Sequence, residues 1–268
     1  KRMGDAMESI ADGDFSVRLK TRSTVKEIRE MYSGFNMMAH ELGAIEIIQT
    51  DFVSNVSHEF KTPITAIEGY AMLLQDCENL NDEQKKYVDK IVVNTKRLSS
   101  LTGSILLLSK IENQSIPTNR TEFSLDEQIR QSIVGLEALW ESKNIEFNVD
   151  MDSVCYYGNE NLMMHVWDNL ISNAVKFSPC DDTITIRLKT KANKIIFEIE
   201  DNGIGVPEEL QKHIFDKFYQ ADSSHKQEGN GLGLALVKKI LSLEDGDISV
   251  ANKEDKGCRF TVVLKDKK

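Results

Sequence analysis

A long stretch of helical character is the feature that most constrains the fold of this chain. From Val25 to about Asp76 the only proline is Pro63, which makes the stretch far longer than the usual helix of a globular protein. Two sets of apolar residues repeat every seven positions within it, namely Ile28, Phe35 and Leu42 in one set and Met31, Met38, Ile45 and Phe52 in the other. This heptad pattern predicts a coiled coil, because a single helix could not bury such a seam.

The end of this stretch and the segment after it predict a helical bundle. After Phe52 the apolar stripe shifts phase and broadens. The polar residues from Asp76 to Asp82 predict a turn, in which Asn81 and Gln84 form a capping box at the start of a second amphipathic helix. Two such helices leave an incomplete core, so we expect two hairpins to pair as a four-helix bundle in a homodimer.

A second domain follows a polar linker between Asn113 and Arg120. Strand-like segments cover 147–149, 183–188, 195–199, 248–250 and 260–264, and helix-like segments cover 125–140, 159–175 and 232–243. This mixture predicts an α/β domain. The predicted fold class is therefore multidomain: a long coiled-coil helix leads into a dimeric four-helix bundle, with a two-helix hairpin per chain, and an α/β sandwich follows.

Composition excludes several classes of function. The formal net charge of −10 argues against a nucleic-acid partner, which would need an excess of Lys and Arg on one face. The four cysteines are scattered without CxxC spacing, which argues against a disulfide framework or a zinc site. No apolar run reaches the roughly 18–20 residues that span a bilayer, so we expect this stretch of chain to be soluble.

The heptapeptide SHEFKTP around His58 carries the sharpest signal of the helical region. His58 lies two residues from both Val56 and Phe60, about 200° around a helix from each, and is predicted to face solvent. A neutral imidazole can attack phosphorus directly, Glu59 could accept the other ring proton, and Thr62 shares the face of His58. The alternative is that His58 is one solvated surface histidine among five.

The segment DNLISNAVK suggests a site for a cation and a phosphate. It places Asn169 and Asn173 four residues apart on one helical face, with Lys176 one turn later. Amide oxygens suit Mg²⁺, and a lysine can neutralise phosphate charge. The alternative is a solvated helix face.

Two glycine-rich segments complete the pattern. In DNGIGVP, Asp201 follows an apolar strand and could accept a hydrogen bond from an adenine amino group, while Gly203 and Gly205 allow close backbone approach. The segment GNGLGL opens a helix whose free N–H groups favour phosphate, and its glycines are Gly229, Gly231 and Gly233. The alternatives are a tight turn with Pro207 opening a helix, and an ordinary glycine turn.

Taken in this order, the segments resemble the H, N, G1, F and G2 boxes of bacterial sensor histidine kinases, with FDKF at 215–218 as the F box. The resemblance implies that His58 accepts a phosphoryl group, that Glu59 is the general base, and that Thr62 positions water for phosphatase activity. It also implies that Mg²⁺ and ATP are bound by Asn169, Asn173, Lys176, Asp201, Gly203, Gly205, Lys217, Gly229, Gly231 and Gly233, the two asparagines serving the metal.

Other residues near these boxes have a structural interpretation. Segment 219–229 would be a mobile lid over the nucleotide. Phe215 and Phe218 are predicted to act mainly in packing, as are Met163, Met164 and Trp167, and His165 is predicted to be structural. Two residues depart from the family pattern, since Cys258 stands where threonine is usual and Phe177 where tyrosine is common.

The first residues resemble the latter part of a HAMP module, a helical connector that follows transmembrane segments in many sensors. IADGDF matches its connector and FNMM its second helix. The resemblance implies an upstream transmembrane sensor region and a cytoplasmic position for this portion of a bacterial cell-membrane protein. We expect a partial HAMP connector and coiled coil at 1–46, a dimerisation and phosphotransfer hairpin at 47–114, and a catalytic ATP-binding domain at 115–268.

The whole pattern predicts a protein-histidine kinase, which uses Mg-ATP to phosphorylate its own His58 and passes the group to an aspartate in the receiver domain of a cognate response regulator. Phosphatase activity toward that regulator is also predicted. Rival hypotheses are an ATPase of the same fold without kinase activity, and a dimeric signalling module with a vestigial ATP site. The kinase-to-phosphatase balance stays open, as does the choice between phosphorylation within one chain and across the dimer.

Overall fold

The computed structural model describes residues 2–11, 14–20, 25–75, 80–112, 119–220, 231–253 and 256–266, and within the helices the side chains of residues 2, 8, 11 and 43–59 lie outside the description. The chain divides into two compact units, Lys1–Ile116 and Pro117–Lys268. Each unit is built around its own elements.

The N-terminal unit is helical. Its described helices are α1 (Arg2–Ala11), α2 (Lys26–Gln75) and α3 (Asp82–Glu112). Helix α2 runs for 50 residues and continues through Pro63, although a proline removes one backbone hydrogen bond from a helix. The long helix predicted from the heptad pattern is confirmed.

Hydrogen bonds fix the connector after α1 beside α2. The Leu19 N–H donates to Asn36 Oδ1 at 2.7 Å, and Asn36 Nδ2 donates to the Leu19 carbonyl at 2.8 Å. Phe35 and Ala39 are buried on the same helix, at 3% and 0% exposure, whereas Met31 is 50% exposed. One chain therefore covers only part of the predicted heptad seam.

Helices α2 and α3 pack as a hairpin. Ala71 on α2 and Val88 and Val92 on α3 form a buried apolar cluster. The predicted capping box at the start of α3 is confirmed, because the Asn81 N–H donates to Gln84 Oε1 at 2.9 Å and the Gln84 N–H donates to Asn81 Oδ1 at 2.8 Å. Large apolar side chains nevertheless stay 41–71% exposed on this hairpin: Phe60, Ile67, Tyr70, Leu73, Ile91, Leu98 and Ile105.

The C-terminal unit combines a sheet with helices. Its described strands are β1 (Thr121–Ser124), β2 (Glu146–Met151), β3 (Cys155–Gly158), β4 (Thr183–Lys191), β5 (Lys194–Glu200), β6 (Asp247–Asn252) and β7 (Cys258–Lys265). Its described helices are α4 (Leu125–Gly135), α5 (Glu137–Glu141), α6 (Glu160–Phe177) and α7 (Gly233–Leu243). The predicted succession of a helical region and an α/β domain is confirmed.

The main sheet has the strand order β2-β4-β5-β7-β6, and β1 pairs with β3 in a separate ribbon. Strands β2 and β4 are parallel, and the other neighbours in the main sheet are antiparallel. One face of the sheet packs against α6, where the rings of Trp167 and Phe197 lie 4.7 Å apart between centroids. Trp167 and Met163 are both 0% exposed, which confirms their predicted place in the core.

Two details of this unit differ from the sequence prediction. The helix predicted over 125–140 is divided at Leu136, whose φ of −104° and ψ of 14° end α4. Trp140 Nε1 on α5 donates to the Ile133 carbonyl at 2.9 Å, so α5 is held against the end of α4. Strands β1 and β3 are absent from the prediction, because each has four residues and too few buried positions to reveal an alternating pattern.

Candidate functional site

Helix α6, which carries both predicted asparagines, is fixed at its two ends. At the first end, the N-cap residue Asn159 accepts the Leu162 N–H at 3.1 Å. At the other end, Lys143 Nζ donates to the carbonyls of Val175, Lys176 and Ser178 at 2.8, 2.7 and 2.9 Å. A cation suits a helix C-terminus, where free carbonyls and the helix dipole concentrate negative charge. The side chains that α6 presents are therefore held in a defined position.

Asn169 brings α6 into contact with the start of α7. Its Nδ2 donates to the His165 carbonyl one turn earlier, at 2.7 Å, so the amide oxygen points away from that carbonyl. A Cβ placed on Gly233 would lie 2.4 Å from Asn169 Oδ1, so a larger residue there would displace the Asn169 amide. The two motifs, 64 residues apart in the sequence by the difference of their numbers, thus meet at one point. Asn173 is half-buried on the same helix.

Asp201 places a buried carboxylate at the end of β5, with 3% exposure. Its Oδ1 accepts the Gly203 N–H at 2.9 Å and the Cys258 N–H at 3.4 Å. Its Oδ2 accepts the Cys258 thiol at 3.2 Å. Hydrogen bonds to a buried carboxylate satisfy its oxygens and fix its orientation.

Cys258 supplies a donor where the family pattern has threonine. Burial, and secondarily the negative charge of Asp201, raise the pKa of the Cys258 thiol well above its ordinary value. The thiol is therefore protonated at neutral pH and can donate to Asp201, as a hydroxyl would. The departure noted in the sequence keeps the hydrogen-bonding group that the carboxylate requires.

Close backbone contacts lock the loop that follows Asp201. A Cβ on Gly203 would lie 2.5 Å from the Phe177 carbonyl at the end of α6. Gly257 has a φ of +85°, and a Cβ there would lie 2.0 Å from the Asp201 carbonyl. Both positions need glycine, so the loop after β5 is pressed between the end of α6 and the turn that leads into β7.

The F-box segment contacts the second glycine-rich segment. The Phe218 N–H donates to the Gly231 carbonyl at 2.7 Å. Phe218 has a φ of 62° and a side chain that is 61% exposed, so the predicted packing role is wrong for this residue. Phe215 is half-buried, and Lys238 Nζ lies 5.5 Å from its ring centroid.

The residues after Pro207 also correct one alternative. The Leu210 N–H donates to the Pro207 carbonyl at 2.8 Å, and residues 208–218 form a series of turns. The alternative of a tight turn in which Pro207 opens a helix is therefore wrong, because no α-helix begins at Pro207. Gly205 lies in the same loop with a φ of +70°.

The remaining predicted site residues are described only in part. Lys176 Nζ lies 4.7 Å from the centroid of the Phe177 ring, and Lys217 is exposed. Thr62 is exposed on α2. The side chains of His58 and Glu59 lie outside the described residues, as do residues 221–229 of the predicted lid, which include Gly229.

Three stretches of the chain match family models in succession. Residues 1–44 match the HAMP domain, residues 48–114 match the His Kinase A (phospho-acceptor) domain, and residues 158–268 match the histidine kinase-, DNA gyrase B-, and HSP90-like ATPase. The chain belongs to the bacterial two-component sensor histidine kinases. The last match includes α6, the loop after β5 and the start of α7.

The chain is similar to curated heme sensor proteins. The heme sensor protein HssS of Staphylococcus epidermidis (strain ATCC 12228 / FDA PCI 1200) is 34% identical over 260 residues, which are 97% of this chain and 56% of that protein. The chain thus spans little more than half the length of this curated relative.

Across the described helices, none is long and apolar enough to cross a membrane.

Two solved structures resemble the kinase chain. The histidine kinase AdeS of Acinetobacter baumannii has a TM-score of 0.59 and 25% identity, over 79% of this chain and 98% of that one. Full-length ShkA in complex with AMPPNP has a TM-score of 0.67 and 24% identity, over 80% of this chain and 45% of that one. The second likeness concerns the fold alone.

Proposed function

We propose that this protein is an ATP-dependent protein-histidine kinase, in which Mg-ATP bound by the C-terminal unit phosphorylates His58. The phosphoryl group then passes to an aspartate in the receiver domain of a cognate response regulator, and the same protein removes phosphate from that regulator. The observation that carries the nucleotide part is the buried Asp201 carboxylate, which is oriented by three hydrogen bonds. The proposed domains are 1–46, 47–114 and 115–268.

The donor set of the C-terminal unit fits ATP with Mg²⁺. In this proposal Asp201 accepts a hydrogen bond from the adenine amino group, and the amide oxygens of Asn169 and Asn173 serve the metal, which prefers oxygen ligands. Contact of Asn169 Oδ1 with the first residue of α7 supports this, because phosphates bind well at a helix N-terminus. Lys176, Lys217 and the glycines Gly203, Gly205, Gly229, Gly231 and Gly233 would complete the contacts to the nucleotide.

His58 lies on α2, 5 residues before Pro63 by their numbers, and would act as the nucleophile. A ring nitrogen would form a bond to the γ-phosphorus while the bond from that phosphorus to the β,γ-bridging oxygen breaks and ADP departs. Glu59 would accept the proton of the other ring nitrogen, and Thr62 would position the water that attacks the phosphorylated regulator. Mg²⁺ would supply charge neutralisation at the phosphates.

We also propose that the protein functions as a homodimer. The apolar side chains on the α2–α3 hairpin support this, because Ile67 and Ile91 are 50% and 43% exposed on the helices whose inner face already forms a core. Pairing of two hairpins would cover them. We further propose an upstream sensor region in the membrane, with the present domains on its cytoplasmic side, and the match of residues 1–44 to the HAMP domain supports this.

The decisive experiment uses the 268-residue chain with γ-labelled Mg-ATP, beside His58→Gln and Asn173→Ala. We expect an acid-labile, alkali-stable label on the unaltered chain and none on either variant. Hydrolysis that survives His58→Gln without labelled protein would favour the ATPase hypothesis. Failure of the unaltered chain to bind Mg-ATP would favour a vestigial site, and binding without label would favour a phosphatase-dominated protein.

A further inference from the structure

The loop at the proposed nucleotide site is held from one side by a turn whose first two residues lie outside the motifs named above. This loop, residues 201–206, follows β5 and begins with Asp201. The turn, residues 252–258, connects β6 to β7, and residues 254–255 within it lie outside the description. Besides Gly257 and Cys258, two of its side chains contact the loop, Asn252 and Lys253.

Asn252 binds both backbone groups of a single loop residue. Its Oδ1 accepts the Val206 N–H at 2.8 Å, and its Nδ2 donates to the Val206 carbonyl at 2.7 Å. A side-chain amide suits this pair of bonds, because its acceptor and its donor are separate atoms on one planar group. A Cβ on Gly205 would lie 3.1 Å from Asn252 Oδ1, so the amide also packs closely against the preceding residue.

Lys253 binds the other end of the same loop. Its Nζ donates to Asn202 Oδ1 at 2.5 Å and lies 3.5 Å from the Asp201 carbonyl. Asn202 in turn donates its Nδ2 to Asp182 Oδ1 at 2.7 Å. The oxygen of the Asn202 amide therefore faces the Lys253 cation, and its nitrogen faces the Asp182 carboxylate. The two contacts fix the orientation of the amide.

We infer that Asn252 and Lys253 are positioning residues, which hold loop 201–206 so that the Asp201 carboxylate meets the amino group of adenine. The inference rests on the proposed binding of ATP. Asp201 lies between strand β5 and the rest of the loop. Asn252 binds the backbone of Val206 in that loop, and Lys253 binds the side chain of Asn202. The carboxylate direction therefore depends on contacts made by Asn252 and Lys253, although neither needs to touch the nucleotide.

A comparison of two nucleotides isolates this role. ATP carries an amino group at the position where ITP carries a carbonyl oxygen, so an ionised carboxylate accepts a hydrogen bond from ATP and repels ITP. Misdirection of Asp201 should therefore weaken ATP binding far more than ITP binding. A loss of global stability alone would not change the ratio of the two affinities.

The variants are Lys253→Met, which keeps an unbranched apolar stem and removes the donor, and Asn252→Asp, which replaces the Nδ2 donor by an oxygen facing the Val206 carbonyl. Lys253→Arg retains a cationic donor. Lys189→Met is the matched control, because Lys189 bridges Asp150 and Asp152 at 2.7 and 3.0 Å on another part of the sheet. Dissociation constants for Mg-ATP and Mg-ITP are measured by calorimetry on the full chain, and thermal unfolding is recorded for each variant.

We expect Lys253→Met and Asn252→Asp to weaken ATP binding about fivefold to tenfold, the loss for a charge-assisted or bidentate hydrogen bond, with ITP binding within about twofold of the unaltered chain. Lys253→Arg should restore most of the ATP preference, and Lys189→Met should preserve it. An unchanged ratio of ATP to ITP affinity in both variants would overturn the inference, whether or not their melting temperatures fall. If the unaltered chain binds no ATP, the proposed function fails first and the inference fails with it.

Discussion

The two units of this chain differ in how completely they bury their large apolar residues. In the C-terminal unit, Trp167, Ile186 and Val262 have 0% exposure, and helices and sheet of the same chain cover them. In the N-terminal unit, Ile67 and Tyr70 are 50% and 71% exposed, although they lie on a helix that already packs against another. One unit completes its core within a single chain, whereas the other leaves large apolar side chains exposed, which the proposed dimer would cover.

This difference suits the two tasks proposed for the units. A nucleotide site requires fixed distances between distant motifs, and a closed core supplies them, as at the contact of Asn169 with Gly233. A signalling helix must exist in more than one arrangement, and a bundle formed by two chains allows its helices to shift at the interface. The predictions below test whether the units differ as this contrast requires.

The largest effect is expected in the closed core. Trp167→Ala should lower the free energy of unfolding of the C-terminal unit by about 3–5 kcal/mol, since it leaves a large cavity and removes the Nε1 donor to Gln128 Oε1 at 2.8 Å. Urea unfolding followed by fluorescence of the remaining Trp140 measures this. Leu139→Ala, at a 50% exposed position, should change stability by less than about 0.5 kcal/mol. A loss below about 1 kcal/mol for Trp167→Ala would contradict a closed core.

The second effect concerns association. Ile67→Glu should weaken the proposed dimer about a hundredfold, because pairing would bury a carboxylate without a partner. Sedimentation velocity over a range of concentrations measures this. Leu139→Glu is the control, since Leu139 is likewise 50% exposed but lies in the C-terminal unit. Equal association of Ile67→Glu and the unaltered chain would remove the contrast between the units.

The sequence predicts regular features with a long or repeated pattern. The apolar spacing of α2 extends over 50 residues, so Pro63 alone could not obscure it. Local hydrogen-bonding pairs such as Asn81 and Gln84 are also visible, because their spacing of three is the geometry of the cap itself. By contrast, the break at Leu136 follows a single glycine, Gly135, within an otherwise helical pattern, and it is accompanied by the hydrogen bond of Trp140 to the Ile133 carbonyl.

The site is predicted only where its residues form a local motif. Asp201, Gly203 and Gly233 are found from short glycine-rich segments, whereas the residues that fix them are not. Lys143 binds carbonyls 32 to 35 positions later, and Lys253 binds a residue 51 positions earlier. Such contacts follow from sheet order, which no local spacing reveals.

A third prediction tests the electrostatics of the closed unit. Burial raises the pKa of Asp126, but hydrogen bonds from Ser124, Arg130 and the Val154 N–H outweigh it and lower the pKa from 3.8 to about 2. A lowered pKa in the folded state stabilises the protein above the unfolded pKa, and this stabilisation is lost as pH falls through the folded value. Asp126→Asn should therefore be less stable by about 2 kcal/mol at pH 7, and the difference should shrink between about pH 4 and pH 2.

Urea unfolding at several pH values, followed by tryptophan fluorescence, measures this dependence. Glu127→Gln is the control. Its side chain is 58% exposed on the same helix, so it shows how much of the change comes from net charge alone. A stability difference for Asp126→Asn that stays constant from pH 7 to pH 2 would show that the carboxylate acts by shape rather than by charge.

The smallest effect concerns the single thiol at the nucleotide loop. Valine has the branched shape of threonine but no hydrogen-bond donor. Cys258→Val should therefore weaken Mg-ATP binding about fivefold, because Asp201 Oδ2 loses its hydrogen bond. Cys258→Thr should bind at least as well as the unaltered chain, since a hydroxyl is a stronger donor than a thiol. Because burial raises the pKa of Cys258, the affinity should not vary between pH 7 and pH 8 through ionisation of this thiol. Equal ATP affinities for the Val and Thr variants, measured by calorimetry, would mean that Cys258 only fills space. The backbone N–H groups of Gly203 and Cys258 would then be sufficient to orient the Asp201 carboxylate.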